Sequence, residues 1–135
     1  MRRDIENRED LDLLLSEFYS VTMVDAEIGH HFVDLDLESH LPIITDFWEK
    51  VLFSRPVYFG NPLVVHQVLH AKAPLKYEHF VRWVEIFSGT IDQLFEGGLA
   101  EAAKLRAKMI AHNMNRHLNG EASPTPHGEN RPASA

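Results

Sequence analysis

Helical periodicity constrains this chain more than any other feature, and it is sharpest between Ser39 and Trp48. His40, Ile44, Phe47 and Trp48 fall at i, i+4, i+7 and i+8, which puts an imidazole, a branched alkyl group and two aromatics on one helical face. Such a face can close over a flat, apolar ligand while offering it one polar group. Pro42 is tolerated in a first helical turn but awkward further in, so within an element spanning about 37–53 regular helix is expected to begin near His40 or Leu41. That start would set His40 at the rim of whatever the helix covers. Taken alone, His40 reads as a capping or surface histidine.

The same period recurs along the chain. Residues 1–9 read as a polar lead-in, and Asp10 as the cap of a helix to about Met23 with Leu11, Leu14, Leu15, Phe18 and Thr22 inward. Tyr19 lies beside that stripe, either as a boundary residue with its hydroxyl in water or as a buried hydroxyl aimed into a pocket. Asp25–Gly29 reads as a turn, with Gly29 permitting positive φ. His30 and His31 follow; adjacent histidines on a helix point apart and do not easily share a metal, so they read as solvent or local-structure residues. Phe32 reads as core or pocket wall.

Two prolines and a glycine make 54–62 a loop, and Pro62 opens a short helix through His70. His66 and His70 have i, i+4 metal-pair spacing, but no acidic residue or cysteine completes a set and there is no His-Glu-x-x-His motif. His66 alone reads as a packed core histidine. The longest amphipathic helix covers about 75–95 with Phe80, Trp83, Val84, Phe87, Ile91 and Leu94 inward. Trp83 carries an indole N–H that needs a partner if buried, and a ligand could be that partner. Gly97-Gly98 breaks the chain before a last helix from about Leu99 to Leu118, with Ala102, Leu105, Met109 and Ile110 inward and His112 and His117 exposed or capping. Residues 119–135 read as a disordered polar tail after a single domain at 1–118. With no repeat and no strand-like alternation, the fold class is all-α.

At 135 residues the chain can bury a core without staples, and it has no Cys, which excludes disulfides, Cys-ligated metals and thioether-attached cofactors. Its net charge of -7 argues against nucleic-acid or anionic-membrane partners. The charged N-terminus is no signal peptide, and no apolar run approaches the roughly 18 residues of a membrane span, so a cytoplasmic location is expected.

Taken together, Phe18-Tyr19, His40-Leu41-Pro42 with Asp46-Phe47-Trp48, Gly60-Asn61-Pro62-Leu63 leading to His66, and His79-Phe80 leading to Trp83 resemble the group III truncated haemoglobins over about residues 8–118. The resemblance implies a shortened globin fold, two helices over two, around non-covalent haem b. It implies that His66 is the proximal iron ligand and that Tyr19, His40 and Trp83 are the distal polar residues. Ile44, Phe47 and Trp48 would line the distal side, with Phe32 and Tyr58 also at the cofactor. The segment from His66 through His70 to Pro74 is longer than in some members of that family. Gly97-Gly98 lies too late to be the glycine motif of other truncated groups, which group III generally lacks.

Reversible binding of O2, NO and CO is the function this implies, with O2/NO chemistry such as NO detoxification foremost. Peroxidase-like redox chemistry and a haem-based gas or redox sensor acting through a partner are the alternatives; outside haem chemistry stands a plain helical interaction domain. Turnover as an NO dioxygenase or peroxidase would need an external reductase, because the chain has no room for a flavin domain. His40 could also bind iron as a sixth ligand.

Overall fold

The first helix starts where a side chain can satisfy its free N–H groups. In this computed structural model, which describes residues 2–58 and 60–120, α1 (Arg8–Thr22) is capped by Asn7, whose side chain accepts from the Asp10 N–H. Asp10 is therefore not the cap. Its buried carboxylate accepts the Glu6 N–H at 2.8 Å and pairs with Arg3 at 2.6 Å, and the Arg3 guanidinium holds its carboxyl below the usual range. The expected inward stripe of α1 is buried in full. Ile5, expected in a polar lead-in, is also buried.

The N-terminal segment is tied to the far end of the chain. The Asp4 carboxylate accepts the N–H groups of Leu99 and Ala100 at 2.9 and 2.8 Å, capping the last helix from outside it. Gly97 has φ 151°, and a Cβ there would overlap the Asp4 side chain, so glycine is required on both counts. Gly29 has no positive φ; its lack of a side chain instead lets the backbone pass the Met23 carbonyl, which a Cβ would meet at 2.9 Å.

A four-residue 3-10 turn, Gly29–Phe32, precedes α2 (Leu37–Phe53). Asp36 caps α2, accepting from the Ser39 N–H and hydroxyl. This capping starts the helix three residues before the point suggested by Pro42, so Pro42 sits inside it and His40 in its first turn. Arg8 on α1 donates to Asp46 and Glu49 on α2, both at 2.7 Å, and the buried Glu49 also pairs with Arg55 at 3.0 Å. Ser54 closes α2 in a left-handed conformation, φ 59°.

The remaining helices are α3 (Pro62–Lys72), α4 (Tyr77–Leu94) and α5 (Gly98–Asn119), and no strand occurs among the described residues. The main core joins the α1–α2 pair to the α4–α5 pair, around Phe18, Trp48, Phe87 and Ile91. On α4 the expected stripe faces inward, with Phe80, Phe87 and Ile91 buried and Trp83, Val84 and Leu94 partly so.

On α5 the inward face is turned from expectation. Ala100, Ala103, Ala107 and Ala111 are buried, while of the residues expected inward Leu105 and Met109 are 58% and 47% exposed and Ala102 and Ile110 are half-buried, Ile110 packing against both apolar clusters. Small side chains let α5 approach α4 closely, and close packing outweighs the bulk of the other face. Asn119 donates to the Leu75 carbonyl and to Asn115, which carries α5 one residue past the expected boundary, with Gly120 as its C-cap. The rest of the expected tail, 121–135, lies outside the described residues. No helix is long and apolar enough to cross a membrane among the described residues.

Of all the helices α3 has the least one-sided pattern. Leu63 and Leu69 pack inward against a small second cluster, whereas Val65 and Val68 face outward at 57% and 59% exposure.

Candidate functional site

The residues expected at the site come from α1, α2, α3 and α4, and α2 and α3 are linked by the effect of His66 on His40. Tyr19, one position along from Phe18 on α1, is buried and not at a wet boundary. Its hydroxyl is 2.9 Å from His40 Nε2, and the two rings meet edge to face with centroids 5.5 Å apart. Phe32 from the 3-10 turn closes on the other side of Tyr19, ring centroids 5.9 Å apart. Burial pushes the Tyr19 pKa well above the ordinary phenol value, so the hydroxyl keeps its proton at neutral pH.

His40 is half-buried, and its pKa lies below the ordinary histidine value, first because of burial and second because protonating it beside the His66 imidazole is disfavoured. The two imidazoles are thus near enough to sense each other, although they come from different helices. His66 Nδ1 lies 2.7 Å from the Pro62 carbonyl. A carbonyl can only accept, so Nδ1 carries the proton and Nε2 presents a lone pair. That is the tautomer a metal-binding histidine needs, with its partner already in place.

His40 supplies a direct check on this electrostatic picture. Its ring is expected to titrate below the ordinary value of about 6.5, followed by NMR of the imidazole carbons. His66→Gly should raise the midpoint part of the way, because burial, the larger cause, remains. A wild-type midpoint at or above the ordinary value would contradict the arrangement.

Trp83 stacks on Phe87 at 5.3 Å with rings 4° apart and meets Phe18 edge to face at 5.8 Å. Among the described residues no partner accepts from its indole N–H. Trp48 is 2% exposed and stacks on the same Phe87 at 4.9 Å, as part of the main core. Ile44 and Phe47 are half-buried on the same helix. Phe47 meets Tyr58 edge to face at 5.3 Å, and burial pushes the Tyr58 pKa up.

A cavity of about 330 Å³ opens beside Phe47 and Tyr58, bounded by Pro62, Met109 and Ile110. Two cations line it that sequence reasoning did not single out, Lys50 and Arg106. Neither forms an ion pair with a carboxylate among the described residues; Lys50 instead lies 5.9 Å from the Tyr58 ring centre. Their separation in sequence hid them, since only the fold brings α2 and α5 to one opening.

Tyr19, His40, His66 and Trp83 do not line that cavity. Their own chemistry, an imidazole whose Nε2 makes no hydrogen bond and an indole N–H with no partner among the described residues, amid aromatic side chains, fits an iron porphyrin, and Lys50 and Arg106 carry the charge its carboxylates require.

No family model matches the chain. The group 3 truncated hemoglobin ctb of Campylobacter jejuni is 26% identical over 124 residues, 87% of this chain and 95% of that protein. The crystal structure of group III truncated hemoglobin from Campylobacter jejuni superposes with a TM-score of 0.77 at 26% identity, again over 87% of this chain and 95% of that one.

Proposed function

We propose that this chain, which has the sequence pattern and the all-α fold of the group III truncated haemoglobins, binds haem b non-covalently and holds a diatomic gas beside Tyr19. The observation that carries the reading is His66, with Nδ1 committed to Pro62 and Nε2 without a hydrogen bond, close enough to His40 to lower its pKa. Bound haem supplies an iron that takes up O2, NO or CO and exchanges electrons. His66 would hold that iron through Nε2, and the Pro62 carbonyl would fix the ring's orientation and basicity. Lys50 and Arg106 would pair with the two carboxylates of the porphyrin.

On the opposite side, Tyr19 can accept from His40 Nε2–H and donate its own proton to the gas, because one hydroxyl both accepts and donates. Trp83 would add its indole N–H. Each such bond contributes about 1 kcal/mol net, and more in a site that excludes water. Donors of this kind favour O2, which carries partial negative charge when bound, over the less polar CO. Tyr19 stays protonated and His40 neutral, so this donor set holds at neutral pH.

O2/NO chemistry follows as the leading activity. NO and O2 combine to nitrate with one electron drawn from an external reductant, while the distal donors keep O2 in place. Mixing the O2-loaded protein with NO in a stopped-flow instrument should consume NO with nitrate formed one for one. An O2-loaded form that decays no faster with NO than with buffer would remove this activity and leave gas binding standing. A second reading uses the other tautomer of the neutral His40, in which Nε2 holds a lone pair beside the Tyr19 hydroxyl and takes a proton from peroxide. Peroxide-dependent oxidation of a dye, lost in His40→Phe, would distinguish it.

A further inference from the structure

Three histidines outside the pocket converge on one point. We propose that His30, His31 and His79 form a binding site for a single divalent transition-metal ion of the zinc class, joining the 3-10 turn Gly29–Phe32 to the first turn of α4. The site shares no residue with the haem pocket and does not depend on it.

Each of the three offers a ring nitrogen, and these nitrogens all lie within 4.8 Å of one another. His31 Nε2 and His79 Nδ1 are 3.4 Å apart. Tetrahedral zinc with nitrogens at about 2.0–2.1 Å sets its ligand atoms about 3.3–3.4 Å from each other, so this pair already has the spacing of one edge. His30 is exposed and free to adjust its rotamer, and its ring lies 4.0 Å from that of His31, centre to centre.

Adjacent histidines would diverge on an α-helix. Here the backbone is a 3-10 turn, and both rings meet His79, which the fold brings from 48 residues along.

His31 is buried, with its Nε2 turned to His79. Burial, and then the charges of His30, His79 and His70, lower the His31 pKa to about 4, which leaves its ring neutral at pH 7. The set is three imidazoles without a carboxylate, a donor chemistry that suits Zn2+, Ni2+ or Cu2+ and not the oxygen-seeking Ca2+ or Mg2+. His70 flanks the cluster but its Nδ1 already accepts the Leu75 N–H at 2.9 Å, so the fourth position falls to water.

One contact has to yield. His79 Nδ1 also accepts the Lys76 N–H at 3.1 Å, and an ion on that nitrogen would displace it. Lys76 is exposed, so water can take the freed N–H.

The test is zinc competition between tag-free, haem-loaded protein and a chromophoric chelator, in wild type, His30→Gln, His79→Gln and a control on the exposed side of α5, His112→Gln. Wild type should take up one zinc per chain, both cluster variants should lose at least about fivefold in affinity, and the control should match wild type. His30 is exposed, so its variant keeps the fold. Absence of zinc uptake by wild type, a smaller loss in either cluster variant, or an equal loss in His112→Gln would overturn the site.

Discussion

Replacing His66 by Gly is expected to lower haem affinity by more than about 100-fold, because losing merely the partner of a metal-bound histidine already costs about 10–100-fold. His66 is half-buried on the helix with the least one-sided pattern, and its Nδ1 is anchored within that helix by the Pro62 carbonyl 2.7 Å away. Deleting the ring removes an imidazole whose Nδ1 is committed and whose Nε2 is left for the iron. The variant should still fold, since the main core of α1, α2, α4 and α5 does not include His66. Added imidazole should enter the gap and restore the visible spectrum. Circular dichroism would verify the helices, and absorption of the haem-loaded variant with and without imidazole would measure the loss. A variant that holds haem as tightly as wild type would assign the iron to another residue, His40 being the first to examine.

Tyr19→Phe carries the second large effect. The phenol is buried, its proton is retained, and among the described residues its hydroxyl meets one hydrogen-bonding group, His40 Nε2 at 2.9 Å. If that hydroxyl donates to a bound gas, its removal takes away a bond worth about 1.5–3 kcal/mol in a site that excludes water, so O2 should leave about 10- to 100-fold faster. CO should leave at nearly the wild-type rate. The ring itself is conserved in the variant, so the packing of Phe18 and Phe32 on it persists. Flash photolysis with each gas reads both rates; equal acceleration for O2 and CO would mean that Tyr19 shapes the pocket without donating to the gas.

Much of this fold is legible in the spacing of apolar residues. The stripe on α1 and the inward residues of α4 are where periodicity puts them, because large side chains have one low-energy destination. What spacing does not carry is contact across the sequence. Asp4 as the cap of α5, Arg8 as the tie between α1 and α2, and Ile5 as core all depend on where distant segments meet. The inward face of α5 was obscured because alanines define it, and alanine signals burial weakly beside Leu105 and Met109.

Tyr19, His40 and His66 could be singled out in the chain, but each alone had a plainer reading as a boundary, surface or core residue. The family pattern gave them roles, and the fold supplies the geometry that makes those roles testable: a 2.9 Å contact, a committed Nδ1, and two imidazoles that sense each other. Lys50 and Arg106 escaped because a cation is ordinary on a helix surface until a cavity opens beside it. The histidine cluster escaped for a geometric reason, since an α-helical turn was assumed where a 3-10 turn exists.

The most direct test of the account is titration of haem into the purified wild-type chain, followed by visible absorption in ferric, ferrous and ferrous-CO forms. The account predicts a sharp break at one haem per chain and histidine-ligated spectra in all three forms. Absorbance that rises without a break, or a bound haem whose spectra lack histidine ligation, would contradict it.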